Sequence, residues 1–159
     1  MIQVVRLNPK KHSATPYSGL GAVSDPGRWN LLGVPMVYTS GTESLAFLEL
    51  FVHLPTITLR ALDREYEVVT AEIDKVDHAA DLTHLPHDWR ELTTTPASTQ
   101  QLGTDWMRKG HLAVSVPSVI FPSERNYLIN PKHPDFSTRC QVQPAQAVFP
   151  DPRILGKLK

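Results

Sequence analysis

The sequence lacks the features that direct a chain into a membrane or out of the cell. It has a single cysteine, Cys140, so no intramolecular disulfide can form, which is typical of a reducing compartment. No stretch approaches the roughly 18 consecutive apolar residues of a membrane-spanning helix. The first residues, Met1 to Arg6, also lack the basic region and long apolar run of a signal peptide. We therefore expect a cytoplasmic protein that does not enter a membrane.

An excess of charge of one sign is also missing, because 16 Lys and Arg balance 16 Asp and Glu. No global field steers such a protein toward nucleic acid, and we expect no direct nucleic-acid binding. The chain has 159 residues, of which 41% are hydrophobic, which is enough for a well-formed core. No repeat or low-complexity linker divides it, so we expect one domain over residues 1–159.

Short apolar or β-branched runs bounded by Gly, Pro or Asn predict the strands. They lie at 2–7, 35–39, 56–62, 66–73, 112–116, 126–130 and 147–149. Residues 8–26 are rich in Gly, Ser, Pro and Lys and predict an ordered loop, and residues 63–64 predict a turn between two strands. Strands dominate over helices, so the predicted fold class is α+β.

Two longer segments predict helices. The first begins after the N-cap Thr42 and runs to His53, where Pro55 stops it. The second covers residues 98–109, with Ser98 as its N-cap and Gly110 after its end.

The first helix carries a lone carboxylate, Glu49, within an apolar segment. Helical spacing predicts one broad buried face formed by Leu45, Leu48, Phe51 and Val52. It predicts a narrow polar stripe formed by Thr42, Ala46, Glu49 and His53. The pattern leaves open whether this stripe faces water or lines a cleft. A carboxylate among apolar neighbours is costly unless it is paired or serves chemistry.

A cation and a phenol precede this helix. Arg28 lies in Gly27-Arg28-Trp29-Asn30, where it either stacks on the tryptophan or presents its guanidinium to a phosphate. Tyr38 ends a predicted strand and is either a core residue or a surface on which a flat aromatic ligand stacks. With Glu49, these groups are what a site needs to hold an anionic cofactor and to stabilise a cationic transition state.

Ser118 and Cys140 are two further side chains that could act as nucleophiles. A serine hydrolase would use Ser118 with His111 or His133, but no Gly-x-Ser-x-Gly elbow surrounds Ser118. Cys140 has no obvious base beside it and is predicted to be structural.

A metal enzyme or a purely binding protein would be a further alternative. A metal site would draw on Asp81-x-x-His84-x-x-His87, with Asp77 and His78 nearby. Pro86 interrupts the helix that this spacing requires, which favours a surface loop with scattered histidines. A globular module that binds a partner without catalysis stays open as an alternative.

An ordered series of motifs resembles the RES domain, which supplies the toxins of bacterial Xre–RES toxin–antitoxin pairs. The series comprises Gly27-Arg28-Trp29-Asn30, Gly33-x-Pro35, Val37-Tyr38-Thr39-Ser40, Leu45-Ala46-x-Leu48-Glu49 and His53. The later segments Val116-Pro117-Ser118 and Glu124-x-Asn126-Tyr127-Leu128-Ile129-Asn130-Pro131-x-His133-Pro134 resemble the C-terminal half of the family. The core of the resemblance runs from about residue 6 to residue 136.

The resemblance implies a fold related to diphtheria-toxin-like ADP-ribosyltransferases, with NAD as substrate and no metal. The implied site residues are Arg28, Tyr38, Glu49 and Ser118, with Arg6 and Asn130 as additions. In the implied roles, Glu49 stabilises the ribosyl cation, Arg28 holds the pyrophosphate, Tyr38 orients the nicotinamide and Ser118 hydrogen-bonds the substrate.

The resemblance also implies a biological role. NAD would be cleaved at the nicotinamide–ribose bond by hydrolysis, or by phosphorolysis with inorganic phosphate as co-substrate, so that NAD is depleted and growth stops. Mono-ADP-ribosylation of a protein target is the alternative. The implied partner is a cognate Xre-type antitoxin with a helix-turn-helix, in an oligomeric toxin–antitoxin complex.

Overall fold

The structure is a computed structural model that describes residues 1–55, 61–149 and 151–157. Its strands form one mixed sheet in the order β4-β5-β6-β2-β1-β3-β7, with β8 also paired to β3. The strands are β1 (Ile2–Pro9), β2 (Val37–Ser40), β3 (Tyr66–Ile73), β4 (His78–Ala79), β5 (Ala113–Pro117), β6 (Arg125–Ile129), β7 (Cys140–Val142) and β8 (Gln146–Ala147). The α-helices are α1 (Leu20–Ser24), α2 (Glu43–His53), α3 (Leu62–Glu65), α4 (Ala97–Arg108), α5 (Phe136–Arg139) and α6 (Pro152–Leu155). Short 3-10 helices cover Lys10–His12 and Leu82–His84.

The register of three strands brings the end of β2, the end of β5 and the start of β6 together. Strand β2 pairs antiparallel with β6, and Ser40 lies opposite Asn126. Strands β5 and β6 form an antiparallel hairpin in which Pro117 lies opposite Arg125. Because α2 begins three residues after Ser40, its side chains meet the same end of the sheet.

Helix α2 has the predicted bounds and cap, but a partly different buried face. The hydroxyl of Thr42 accepts a hydrogen bond from the backbone N–H of Leu45 at 3.1 Å, which confirms the N-cap. Val52 of the predicted apolar face is 57% exposed, whereas Ala46 of the predicted polar stripe is 7% exposed. The predicted face is confirmed for Leu45, which is 1% exposed, but the helix packs on β1 and β3 through Ala46, Phe47 and Leu50.

Helix α4 covers the neighbouring part of the sheet. Its Trp106 and Met107 share a core cluster with Val114 of β5 and Leu128 of β6. The prediction that Ser98 caps this helix was wrong: the helix begins after Pro96, and the hydroxyl of Ser98 donates to the carboxylate of Asp88 at 2.7 Å. The glycine that ends the helix was predicted correctly, since Gly110 has a φ of +84°.

Most predicted strands are confirmed within one or two residues, and the corrections concern the connections. The predicted loop over 8–26 contains the end of β1, a 3-10 turn and α1. The predicted turn at 63–64 is part of α3, which is anchored by the fully buried Leu62. The predicted strand over 56–62 lies mostly outside the described residues. In the described ranges, no helix combines the length and apolar character needed to cross a membrane.

Candidate functional site

The carboxylate of Glu49 is held by two side chains from different elements. The hydroxyl of Ser118 donates to Oε1 of Glu49 at 2.8 Å, and the amide Nδ2 of Asn126 donates to the same oxygen at 2.5 Å. Glu49 itself is half-buried on α2. Within residues 1–55, 61–149 and 151–157, no hydrogen bond to Oε2 is found. One carboxylate oxygen is therefore fixed by two donors from different elements.

Ser118 is completely buried and closes the turn that follows β5. Its hydroxyl oxygen accepts hydrogen bonds from the backbone N–H groups of Ile120 at 3.1 Å and Phe121 at 3.2 Å. With two N–H groups on the oxygen, the hydroxyl proton is directed at Glu49. Ser118 thus positions the carboxylate of Glu49, whereas the role implied by the resemblance was a hydrogen bond to the substrate.

The geometry does not favour the serine hydrolase alternative. The hydroxyl of Ser118 donates a hydrogen bond to Glu49, whereas the nucleophilic serine of a hydrolase donates to a histidine. The ring of His111 instead stacks on His78, with centroids 5.7 Å apart. The ring of His133 contacts a backbone carbonyl and the N–H of Asp135.

Asn126 was not singled out as a site residue from the sequence. Its Oδ1 accepts a hydrogen bond from the hydroxyl of Ser40 at 2.8 Å. Ser40 is 4% exposed and lies opposite Asn126 across β2 and β6. Asn126 begins the predicted strand 126–130, and Ser40 directly follows the predicted strand 35–39. Neither segment shows by itself that the two strands pair.

Arg28 lies in the loop formed by residues 27–30, here called the Arg28 loop. Its Nη1 donates to the carbonyl of Trp89 at 2.9 Å, and its Nη2 donates to the carbonyl of Glu91 at 2.8 Å. Burial lowers the pKa of the Arg28 guanidinium, and the carboxylate of Glu49 is the strongest of the groups that oppose this shift. Of the two alternatives for Arg28, stacking on Trp29 is not what the structure shows: Trp29 stacks on Trp106 with ring centroids 5.7 Å apart, and the guanidinium of Arg28 donates to the two carbonyls.

Residues 89–91 form a short segment, here called the strap, that contacts both the Arg28 loop and the chain after Ser118. Besides the two carbonyls that accept from Arg28, the strap contains Arg90. Arg90 donates to the carbonyls of Val119 at 2.8 Å and Ile120 at 3.3 Å. The strap is thus fastened both to the Arg28 loop and to the chain that follows Ser118.

Tyr38 braces the Arg28 loop. Its hydroxyl donates to Oδ1 of Asn30 at 2.7 Å and accepts from the backbone N–H of Trp29 at 2.9 Å. Asn30 is fully buried and also accepts from the N–H of Gly27 at 2.9 Å. Burial raises the pKa of Tyr38 well above its ordinary value, so the phenol is neutral.

The two additional residues lie elsewhere. Arg6 donates to the backbone carbonyl of Tyr38 at 3.2 Å. Its neighbours Val5 and Leu7 pack against α2, the helix of Glu49. Because side chains alternate along a strand, Arg6 lies on the opposite face of the sheet. Burial lowers the pKa of Arg6. Asn130 follows β6, about 13 Å along an extended chain from Asn126. Its amide contacts the carbonyl of His111 and the N–H of Lys132. The structure does not bring these two residues to Glu49.

The remaining reactive side chains have structural surroundings. Cys140 is buried in the core, and burial raises the pKa of its thiol to about 11. Asp81 caps the turn at Leu82–His84 by accepting from the N–H of Thr83 at 2.9 Å. Among the residues that the structure describes, no three His, Cys, Asp or Glu side chains are grouped to hold a metal ion.

The RES domain family model matches residues 3–151 of this chain. The chain belongs to the RES family. A RES relative from Yersinia enterocolitica, named Toxin Res, is 33% identical over 156 residues, which covers 96% of this chain and 99% of the relative. A second, from Sphingobium sp. strain YBL2, is named Prs ADP-ribosylating toxin and is 35% identical over 159 residues, covering 96% of this chain and 95% of the relative. This RES chain is therefore a member of a family of toxins.

The fold of the RES chain is similar to that of a solved structure. A chain of the M. tuberculosis MbcT–MbcA toxin–antitoxin complex aligns with a TM-score of 0.73 and 16% identity, over 99% of this chain and 88% of that chain. The α+β class and the resemblance to the RES family, both predicted from the sequence, are confirmed.

Proposed function

We propose that this RES chain is the toxin of a bacterial toxin–antitoxin system and that it cleaves the nicotinamide–ribose bond of NAD. The observation that carries the proposal is the carboxylate of Glu49, which Ser118 and Asn126 fix through one oxygen. The opposing effect of Glu49 on the lowered pKa of Arg28 supports it. The names of the relatives from Yersinia and Sphingobium support the toxin role. The second name also supports an NAD-derived substrate, since NAD is the donor in ADP-ribosylation.

The chemistry follows from the leaving group. Nicotinamide in NAD is a pyridinium, so it departs as a neutral molecule with the electron pair of the broken C–N bond and needs no general acid. The ribosyl group becomes an oxocarbenium-like cation, as in glycoside hydrolysis. A preorganised charge lowers such a barrier by about 3 kcal/mol. Glu49 would supply that charge, while Arg28 would hold the pyrophosphate and Tyr38 would support the Arg28 loop.

The acceptor of the ADP-ribosyl group defines the reaction. Attack by water gives ADP-ribose and one proton. Attack by inorganic phosphate gives the ribosyl phosphate, which is ADP-ribose with a phosphate on the anomeric carbon that carried nicotinamide. Both deplete NAD and are the proposed toxic reactions. Transfer to a side chain of a protein target is the second candidate, and it is favoured by the Sphingobium relative, whose name says that it ADP-ribosylates.

An antitoxin completes the proposal. The similar fold from M. tuberculosis was solved in a toxin–antitoxin complex. By analogy, a cognate Xre-type antitoxin with a helix-turn-helix would bind this chain in an oligomeric complex and keep NAD from the site.

The proposed reaction is tested by incubating purified protein with NAD and measuring free nicotinamide. Glu49→Gln keeps the shape of the side chain but removes its charge, so we expect nicotinamide release to fall about 100-fold or more to a residual rate while the circular dichroism spectrum is unchanged. Glu43→Gln is the matched control, because Glu43 is exposed in the first turn of the same helix. A wild-type rate of nicotinamide release by Glu49→Gln would show that the site is wrongly assigned. If the wild-type protein released no nicotinamide, the alternative of a binding module without catalysis would be favoured.

Product analysis separates the candidate reactions. Parallel reactions contain buffer alone, added inorganic phosphate, or bacterial lysate with labelled NAD. ADP-ribose, the ribosyl phosphate and labelled protein identify hydrolysis, phosphorolysis and transfer, respectively. The toxin role is tested separately by expression in bacteria: growth should stop and cellular NAD should fall, whereas normal growth with abundant soluble protein would contradict it.

A further inference from the structure

We propose that Asn126 is a positioning residue that orients the carboxylate of Glu49 for NAD cleavage, and that Ser40 sets the orientation of Asn126. This inference rests on the proposed function. Its basis is a continuous chain of hydrogen bonds from the hydroxyl of Ser40 to Oδ1 of Asn126, and from Nδ2 of Asn126 to Oε1 of Glu49.

The chemistry of the three groups permits one direction of this chain. An ionised carboxylate only accepts hydrogen bonds, so the amide of Asn126 must turn its NH2 group toward Glu49. The amide oxygen then faces Ser40, whose hydroxyl can donate to it. Without that donor, the amide loses the contact that stabilises this orientation. A rotated amide would place its oxygen against the carboxylate and repel it.

The backbone makes this arrangement rigid. Ser40 and Asn126 are directly paired across β2 and β6, so the sheet sets the distance between them. The second donor to Glu49, Ser118, comes from the turn after β5. Two donors from separate elements converge on one oxygen of the carboxylate and limit its rotation, which a single donor would not do.

The expected effect is on catalysis rather than on substrate affinity. Asn126 acts through Glu49, so its loss should lower kcat and leave KM for NAD within about twofold. A hydrogen bond to a charged group of this kind corresponds to a loss of about tenfold to a hundredfold in kcat.

The experiment measures kcat and KM for nicotinamide release from NAD by the full chain and by its variants. Asn126→Ala removes the donor, and Asn126→Asp keeps the shape but replaces the donor with an acceptor, so both should lower kcat. Ser40→Ala should cause a smaller loss, since the donor stays but its orientation is loosened. Gln141→Ala is the matched control, because it removes an exposed side-chain amide on β7, at the edge of the sheet away from β6. Thermal unfolding shows which variants fold.

A double-mutant cycle distinguishes positioning from a merely structural role. In the Glu49→Gln background, Asn126→Ala should not lower the residual rate further, because its effect passes through the missing carboxylate. The proposal is overturned if folded Asn126→Ala and Ser40→Ala retain the wild-type kcat, or if their loss appears in KM alone. A wild-type protein that releases no nicotinamide would instead overturn the proposed function, and this inference with it.

Discussion

Gly27 lies so close to the ring of Tyr38 that a β-carbon on Gly27 would be 2.7 Å from the Cζ atom of the tyrosine. No real β-carbon makes such a contact, and the tyrosine hydroxyl is held by Asn30 and by the N–H of Trp29. The ring cannot move aside without breaking these bonds. The Arg28 loop therefore requires glycine at this position for reasons of space.

We expect Gly27→Ala to displace the Arg28 loop. The free energy of unfolding should fall by about 1–3 kcal/mol, the usual cost of overpacking, and nicotinamide release should fall with it. Gly21→Ala is the control, since the β-carbon it would add meets no described residue outside its own helix turn and chain neighbours within 4 Å. Denaturant unfolding and the NAD assay check both variants, and equal behaviour of the two would contradict the crowding at Gly27.

We expect Ser118→Ala to weaken catalysis without abolishing it. The variant removes one of two donors to Glu49 and leaves two backbone N–H groups without their acceptor. A loss of about 1–3 kcal/mol corresponds to a rate lowered by roughly ten- to a few-hundredfold. The rate and the intact mass during turnover should be measured together. A stable mass increase located on Ser118 of the wild type would show that the serine is a nucleophile.

We expect Thr42→Ala to destabilise the protein by about 1 kcal/mol, because it removes the N-cap of α2. Thr42→Ser keeps the capping hydroxyl and should retain nearly all of the stability. Urea unfolding at neutral pH measures both. Equal losses in the two variants would mean that packing at Thr42, and not the cap, stabilises the helix.

We expect Asp77 to stabilise the fold in a pH-dependent way. Burial raises the pKa of Asp77, but a 2.8 Å bond from Arg139 and the N–H groups of Leu112 and Ala113 outweigh it, so the net pKa is lowered. The stabilisation is thus complete above the unfolded pKa of about 3.9 and is lost as pH falls through the folded pKa. The thermal midpoint of Asp77→Asn should lie below that of the wild type at pH 7, and the difference should shrink between about pH 4 and pH 2. A difference that stays constant over this range would contradict the assignment.

The sequence predicted what depends on local signals. The cap at Thr42, the bounds of α2 and the end of α4 at Gly110 were correct because each rests on residues within a few positions of one another. The cap at Ser98 was wrong because its hydroxyl binds Asp88, ten residues away. Which face of α2 is buried is decided by β1 and β3, which no pattern within the helix reveals.

For the candidate site, too, local motifs were predicted from the sequence and long-range contacts were not. The resemblance pointed to Glu49, Arg28, Tyr38 and Ser118. The structure brings Glu49 and Ser118 into contact, and it places Tyr38 of β2 against the loop that carries Arg28. The contribution of Asn126 depends on the pairing of β2 with β6, which sets residues 86 positions apart side by side. Such long-range pairing is not encoded in any single segment.

The two carbonyl contacts of Arg28 orient its guanidinium before any ligand arrives. A guanidinium has five N–H groups, and the carbonyls of Trp89 and Glu91 take one on each terminal nitrogen. Because the guanidinium is planar, these two contacts also fix the direction of its other N–H groups. An anion bound by those groups would add to the carbonyl contacts and would not replace them. The proposed hold on a pyrophosphate would thus come from a side chain that has already lost its rotational freedom in the folded protein, which lowers the entropic cost of binding.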